Sequence, residues 1–493
     1  MAKHARIRTD EQRQRLERNR QIMLAALKGD AGQHGDSMQT AGLTLVLERI
    51  VCDHASGRPV PFDGPYGVER ILHQLTGTYV GGEIVCEGRL VGVRGNLAIE
   101  GRDETIGLRA SVGVGAQLVL EVGPSQSITG LIDAIRVFDR QTHLAARALG
   151  REYDLVAQGL SPVASPSDIV PVPLRRNVLL GTYLARSGRF AKDALRCSAM
   201  TRLCLAMPQD EREAVAVFRL FTALAPLLSF LCDNTLSLRG CAPTDTPSMA
   251  RQLVWQQMDP ARHATMPSVL RESFGLASYE RWLESVRPIL FESDESIVFS
   301  TGTDTCEYVM EERDLTPTEA KRLAHSVWPD VRLDGRIELR CADSLPPRLA
   351  GGYAALVKGL LATPDIRQAV ERLVGIGELE ELDLDQIYHD LREMGWNAHV
   401  FKRWVDQLAN ELVVLALRGL DDMEERRLLN ELAQLWEARM VPRDALVTNW
   451  ENAQRSDLDE AIALYGEGAV IPYEELGGDP PAGSTAVMRP IRP

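Results

Sequence analysis

The stretch ASVGVGAQLVLEVGP, Ala110–Pro124, decides the fold. It is rich in valine and leucine and reads as strand-forming. It closes a longer β-rich run, Gly77–Gly123, whose successive strands are VGGEIVCEGRLVGVRGN, LAIEGRDETIGLRA and VGVGAQLVLEV, with Gly–Asn and Gly–Arg turn signals between them. Side chains two apart on a strand share a face, so Val119 and Glu121 project together. The hexamer VGVGAQ looks like the opening of a dinucleotide-binding loop. It lacks the third glycine and sits inside a strand pattern, which excludes that reading. GxxxxGK[ST], HExxH and GxSxG are all missing from the sequence.

Outward from that run, Leu43–Val51 (LTLVLERIV) is a further strand, Asp63–Leu75 a helix, and Ser127–Leu149 an amphipathic helix with a Ser/Thr-rich start and an end near Gly150. At the N-terminus, residues 10–28 carry Leu16, Ile22, Met23, Ala26 and Leu27 at helical spacing among arginines and glutamines. A solvated helix face explains that basic bias better than a nucleic-acid arm, and Gly29–Ser37 follows as a loop. A Pro-rich link, SPVASPSDIVPVP, then leads into a mainly helical half. Its expected helices include Arg175–Ala185, Glu211–Cys232, Thr316–Ser326 and Leu349–Leu361. Strands are expected at Cys197–Ala206, Ser296–Ser300 and Arg336–Arg340, and Trp282–Phe291 is a helix or turn. Helices follow one another from Asp365 to about Leu464. The organisation expected is an N-terminal helix and loop (1–38), a main domain (39–476, strand-rich over 39–160 and mainly helical over 174–476), and a Pro/Gly-rich disordered tail (477–493). The fold class is α+β: a curved, largely antiparallel sheet holding a concave cleft, wrapped by helices.

Composition closes several doors. The 493 residues can bury a sizeable core, and 45% hydrophobic with 25% charged residues is ordinary for a globular protein. A net charge of −14 disfavours nucleic-acid or anionic-membrane binding, which needs clustered cations. Eight scattered cysteines without a CxxC pair predict buried, reduced thiols and a cytoplasmic setting. The polar start is not a signal peptide, and no run of about 18 apolar residues predicts a membrane span.

Several blocks in shared order resemble the glutamate–cysteine ligase family of the plant and bacterial type, from about Leu43 to Leu446. RPVPFDGPYGVERILHQLTG (Arg58–Gly77) is similar to that family's helix after its first acidic strand, and RNVLLGTYLARSGRFAKDALRCSAMTRLCLAM (Arg176–Met207) to its Y-M-x-x-x-G turn and following strand. RQLVWQQMDPAR matches R-x-x-x-W-x-x-x-D-x-x-R through Arg251, Trp255, Asp259 and Arg262. FGLASYERWLESV fits the F-G-x-x-x-Y helix. PDVRLDGRIELRCAD retains Glu338, Arg340 and Asp343. The opening stretch resembles the family's S-x-x-L-E-P-G-G-Q-x-E-L-S-G-x-P. Ser111, Gly115, Gln117, Leu120 and Pro124 are in place, but Gly113 and Val119 stand where two metal-binding glutamates belong.

By resemblance the chain would join a carboxylate to an amine through an acyl phosphate, using ATP and Mg2+ and an amino-acid-like small-molecule substrate. Magnesium is a hard ion that wants several inward carboxylates on rigid strands. The first strand offers Val46 and then Glu48, one acid of an expected two. Glu121 shares the face of Val119, but a displacement of about 7 Å would have to be absorbed. The metal candidates are therefore Glu48, Glu121 and Glu338. The nucleotide or substrate candidates are Arg340, Arg262, Arg251, Trp255, Thr201 and Gln117. Each has a plainer reading: Glu48 as a solvent-facing acid, Glu338 and Arg340 as a cross-sheet pair, Arg262 as a helix-end arginine, His263 as a loop histidine. Two function classes stay open. One is an ATP-dependent carboxylate–amine ligase with an altered site. The other is a catalytically inactive homologue that binds a partner or small ligand, such as a scaffold or regulatory subunit in a biosynthetic assembly, with a protein partner or homo-oligomer left open. Convergence of the three carboxylates discriminates between them.

Overall fold

The computed structural model describes residues 8–29, 42–79, 81–99, 104–263, 265–266, 269–292, 297–299, 304–376 and 383–456. The expected tail at 477–493, most of the Gly29–Ser37 loop and the end of the last helical run lie outside them. Strand-forming sequence builds β1 (Leu43–Asp53), β2 (Glu83–Cys86), β3 (Arg89–Ala98), β4 (Thr105–Val112), β5 (Leu118–Ser125), β6 (Tyr153–Val156) and β7 (Thr201–Ala206). Later come β8 (Leu290–Glu292), β9 (Ile297–Phe299), β10 (Val331–Leu333) and β11 (Arg336–Leu339), then a small hairpin, His399–Val400 with Arg403–Trp404. β1–β7 with β10 and β11 form one nine-stranded sheet in the order β10-β11-β7-β1-β5-β4-β3-β2, with β6 also on β1. Every pairing is antiparallel.

Alternation makes the sheet two-sided. Leu45 and Leu47 of β1, Leu120 and Val122 of β5, Leu203 and Leu205 of β7, and Ile337 and Leu339 of β11 are register neighbours on one face, and all are buried. Each contributes roughly 1.5–3 kcal/mol. That face is covered by α3 (Ile128–Ala148), α6 (Glu211–Leu231) and α12 (Pro347–Leu361). The helices counted between them are α1 (Asp10–Lys28), α2 (Val68–Thr76), α4 (Arg175–Leu184), α5 (Ala191–Arg196), α7 (Ala250–Met258), α8 (Pro260–His263), α9 (Leu276–Ser285), α10 (Cys306–Glu312) and α11 (Pro317–Ala324). Behind α12 a further layer packs from α13 (Pro364–Leu373) through α15 (Val405–Arg418) and α16 (Met423–Glu437), with α14 (Leu384–Met394) against α6. By length and composition α6 could cross a membrane, contrary to the expectation that no segment could. Its apolar window is 83% buried inside the fold, as suits a core helix.

Local chemistry sets the element ends. Thr9 caps α1 and Thr316 caps α11, each in a reciprocal pairing with the residue three on, Gln12 and Glu319, and Pro317 opens α11. The arginines at this end are partly spent inside the molecule: Arg20 of α1 holds Glu284 at 2.6 Å, and Arg8, just before the cap, meets Glu311 and Glu307. Buried Asn19 donates to the carbonyls of Met310 and Arg313 and accepts from the Leu315 N–H. All eight cysteines are free thiols. Six are buried, while Cys86 and Cys241 are exposed, in contrast to the expectation for all eight.

The decisive stretch divides, where a continuous strand was expected. Residues 113–117 are the turn of the β4–β5 hairpin, with Ala116 at φ +64°. Gln117 fastens that turn to α5: its Oε1 accepts from the Gly115 N–H, and its Nε2 donates to the carbonyls of Leu195, Arg196 and Ser198. A Cβ on Gly115 would lie 2.2 Å from the Arg196 carbonyl oxygen, so only glycine lets turn and helix approach this closely. Gly115→Ala should therefore destabilise the protein by about 1–3 kcal/mol in a urea titration.

On the apolar face Arg49 interrupts the leucines and lies buried near Asp139 of α3. Burial pushes the Asp139 carboxyl up to about 6, with the Arg49 charge opposing. The folded state thus keeps this proton longer than an unfolded chain, whose carboxyl titrates near 3.9. Stability from this group is complete below about pH 4 and is lost as pH rises through about 6. Asp139→Asn should remove that downward slope from unfolding midpoints measured across the window.

Candidate functional site

The opposite face of the sheet is polar, and its pattern is written in period two. Arg332, Asp334, Arg336, Glu338 and Arg340 occupy every second position through the β10–β11 hairpin. Register carries the face across the neighbouring strands: Glu338 lies opposite Cys204 of β7, Arg202 opposite Val46 of β1, Val46 opposite Glu121 of β5, and Glu121 opposite Arg109 of β4. Beyond Arg109 comes Arg94 of β3. In the adjacent row Val119 stands between Glu48 and Ser111.

Glu338 is the centre, with no solvent exposure. Its Oε1 accepts from Arg202 Nη1 at 2.8 Å, while Oε2 meets Arg332 Nη2 at 2.6 Å and Arg340 Nη1 at 3.4 Å. Arg202 also reaches Glu48, Nη2 to Oε1 at 3.2 Å, and the second Glu48 oxygen accepts from the Met200 N–H at 3.2 Å. Farther out, Arg336 donates to Glu121 at 2.9 Å. Asp334 is ion-paired with Arg332 at 3.1 Å and lies 2.7 Å from His325. Burial alone would raise the Glu338 pKa. The guanidiniums of Arg332, Arg202, Arg340 and Arg336 outweigh it and hold the carboxyl well below the usual range. Arg340 goes the other way: burial lowers it to about 10, with Glu338 opposing. Its guanidinium lies 5.4 Å from the Trp255 ring, a cation–π contact.

The three expected metal ligands therefore share one face, but each is matched to an arginine. Among the described residues, no group of three or more histidine, cysteine or acidic side chains could hold a metal ion. Magnesium takes about six oxygens at close to 2.1 Å. Both oxygens of Glu48 and both of Glu338 are already hydrogen-bonded or ion-paired to N–H groups, and Val46 and Val119 put methyl groups between the acids. The residues present do not fit the ion. Gly113, where the resemblance calls for a glutamate, faces a filled space: a Cβ there would sit 2.5 Å from Gln117 Oε1.

The remaining candidates belong to the scaffold. Gln117 is the hairpin clasp. Thr201 is fully buried on the apolar side, where its Oγ1 accepts from the Leu345 N–H. Arg251 donates to Asp343 at 2.6 Å and to the carbonyls of Cys341 and Arg340. Arg262 is 1% exposed and bonded to Asp259 and the carbonyls of Ser326 and Arg287. The indole N–H of Trp255 donates to Ser198 Oγ at 3.1 Å. His263 is buried rather than in an open loop, 3.7 Å from Asp330. The structure brings only Glu48, Glu121, Glu338 and Arg340 to the polar face, with Trp255 behind Arg340. Arg202, Arg332, Arg336 and Asp334 complete it. The alternating charges of VRLDGRIELR were the signal for three of them.

A sequence-family model, "Glutamate-cysteine ligase family 2(GCS2)", matches residues 47–364 of this chain, which takes in Glu48, Glu121, Arg202 and the β10–β11 hairpin and leaves out α1 and the last helices. The chain belongs to glutamate–cysteine ligase family 2. Similar family relatives include glutamate–cysteine ligase B, chloroplastic, of Oryza sativa subsp. japonica, 22% identical over 415 residues that cover 82% of this chain and 79% of the relative. Another is the chloroplastic glutamate–cysteine ligase of Medicago truncatula, 23% identical over 379 residues, 73% of each chain. Among solved structures, the complex between prokaryotic ubiquitin-like protein Pup and its ligase PafA aligns with a TM-score of 0.41 at 10% identity, covering 87% of this chain and 72% of that one.

Within this family member, Glu338→Gln should cost about 3–5 kcal/mol at neutral pH, because it removes the charge that Arg202, Arg332 and Arg340 share and leaves them only Glu48 and Asp334. The folded pKa of Glu338 is depressed, so its contribution is present above the unfolded value near 4.3 and lost as pH falls further. The gap between wild type and variant in denaturant titrations should therefore close below about pH 4.

Proposed function

We propose that this ligase-family homologue binds a small anionic, amino-acid-like ligand on the arginine-bearing face of its sheet and does not perform magnesium-assisted phosphoryl transfer. It then acts as a binding or regulatory subunit rather than a catalyst. The observation that carries this reading is the full occupation of the Glu48 and Glu338 oxygens by Arg202, Arg332, Arg340 and the Met200 N–H. Acyl-phosphate chemistry needs cations that can move onto phosphate oxygens as charge develops. The cations here are tethered and already neutralised. Beyond the lattice, exposed Arg109 and Arg94 extend the face, where guanidinium forks suit a carboxylate. Eight thiols without a disulfide support a reducing, cytoplasmic setting.

A second reading keeps an ATP-dependent γ-glutamyl ligase with an altered site. It is favoured by the breadth of the family match and by the partial accessibility of Glu48 and Glu121, whose side chains are 16% and 31% exposed. Calorimetric titration with ATP, with and without magnesium, separates the two, followed by phosphate-release assays with glutamate and a panel of amines. The binding reading expects ATP affinity unchanged by magnesium and phosphate release at background. Magnesium-dependent ATP binding with glutamate-dependent phosphate release would sink it.

A further inference from the structure

A second polar region lies away from the sheet face, on the far side of α5. A cavity of about 420 Å³ opens there between the Pro-rich link and the α4–α5 turn. That volume falls in the range of small-molecule sites. Its wall carries Arg189, Lys192, Arg196 and Arg239 against a single carboxylate, Asp193. The carboxylate is already committed: Arg239 grips it with Nε at 2.5 Å and Nη2 at 2.6 Å. Arg196 is aimed by its bonds to the carbonyls of Pro166 at 3.0 Å and Ile169 at 3.4 Å. Phe190 sits between two guanidiniums, Arg189 at 5.0 Å and Arg239 at 5.3 Å from its ring, which fixes both near the mouth. Arg189 and Lys192 have no acidic partner among the described residues.

In a chain with 69 acidic and 55 basic side chains, this wall gathers four cations around one spent carboxylate, with Asp168 tied to Ser165 at its edge. Like charges gathered in a concavity repel, and that cost is recovered when an anion enters. We propose that this cavity is a binding site for a phosphate-bearing small molecule. A phosphoryl group carries nearly two negative charges at neutral pH and several strong acceptor oxygens, matching Arg189 and Lys192, with Arg196 behind them, better than a single carboxylate would. The site is built independently of the arginine lattice on the sheet, so it stands or falls separately from the proposed function.

The test is calorimetric titration of the full chain with inorganic phosphate and with inorganic pyrophosphate at constant ionic strength. Saturable binding is expected, tighter for pyrophosphate. Arg189→Ala and Lys192→Ala should each weaken it about tenfold or more, the scale of one lost charge-assisted hydrogen bond. Both side chains are exposed, so unchanged thermal unfolding should accompany the loss. Absence of saturable binding by the wild type overturns the proposal. Binding that survives in the double variant, or that disappears in Arg109→Ala, places the anion elsewhere and overturns it equally.

Discussion

A carboxylate with no solvent exposure cannot stay charged alone, and Glu338 is the constraint around which the polar half of this protein is arranged. Its two oxygens recruit guanidiniums from three strands: Arg202 on β7, Arg332 on β10, and Arg340 just past its own strand, β11. Those arginines in turn need further acids, which brings in Glu48 and Asp334. Exposure rises outward, from buried Glu338 through Glu48 and Arg202 to Glu121 and Arg336. The result is an alternating lattice of fixed charges on one side of an antiparallel sheet.

The same alternation that gathers charge on one face clears it from the other. Leu45, Leu47, Leu203 and Leu205 leave α3, α6 and α12 an apolar surface, with the Arg49–Asp139 pair as its one long charged intrusion from β1. Gln117 joins the halves. By holding three carbonyls at the end of α5 it ties the β4–β5 turn to the helical segment, which also carries Trp255 beneath Arg340. The occupied space beside Gly113 follows from that clasp. The glutamate that the resemblance calls for would compete with Gln117 for the same volume.

Much of this was legible in the sequence, because β-branched runs, turn glycines and Thr–Pro caps act locally. β1, α1, α3, α6 and α11 lie within a few residues of where periodicity put them. The meander's three expected segments are four strands, because Gly95–Asn96 lies inside β3 and the chain turns at Glu87–Gly88 instead. The hairpin turn at 113–117 was hidden because Val114 and the flanking Val112 read as strand while Gly113, Gly115 and left-handed Ala116 made the bend. In the site, period two put Glu121 on the face of Val119, but that Glu48 and Glu338 share that face depends on strand pairing. Arg202 was overlooked because its neighbours Thr201 and Leu203 point to the core, and a lone arginine on a short strand carries no motif. That Arg262 and Arg251 serve carbonyls and nearby aspartates depends on tertiary contacts, which spacing does not encode.

The central claim is that tethered guanidiniums take the place of a mobile divalent cation at Glu48 and Glu338. Electron paramagnetic resonance of Mn2+ titrated into the full-length protein tests it directly, since bound and free Mn2+ differ in signal. The wild type should leave the ion free up to millimolar protein, whereas Arg202→Ala, with oxygens of both acids released, should begin to bind it. Wild-type binding of Mn2+ that is lost in Glu48→Gln or Glu338→Gln would contradict the claim.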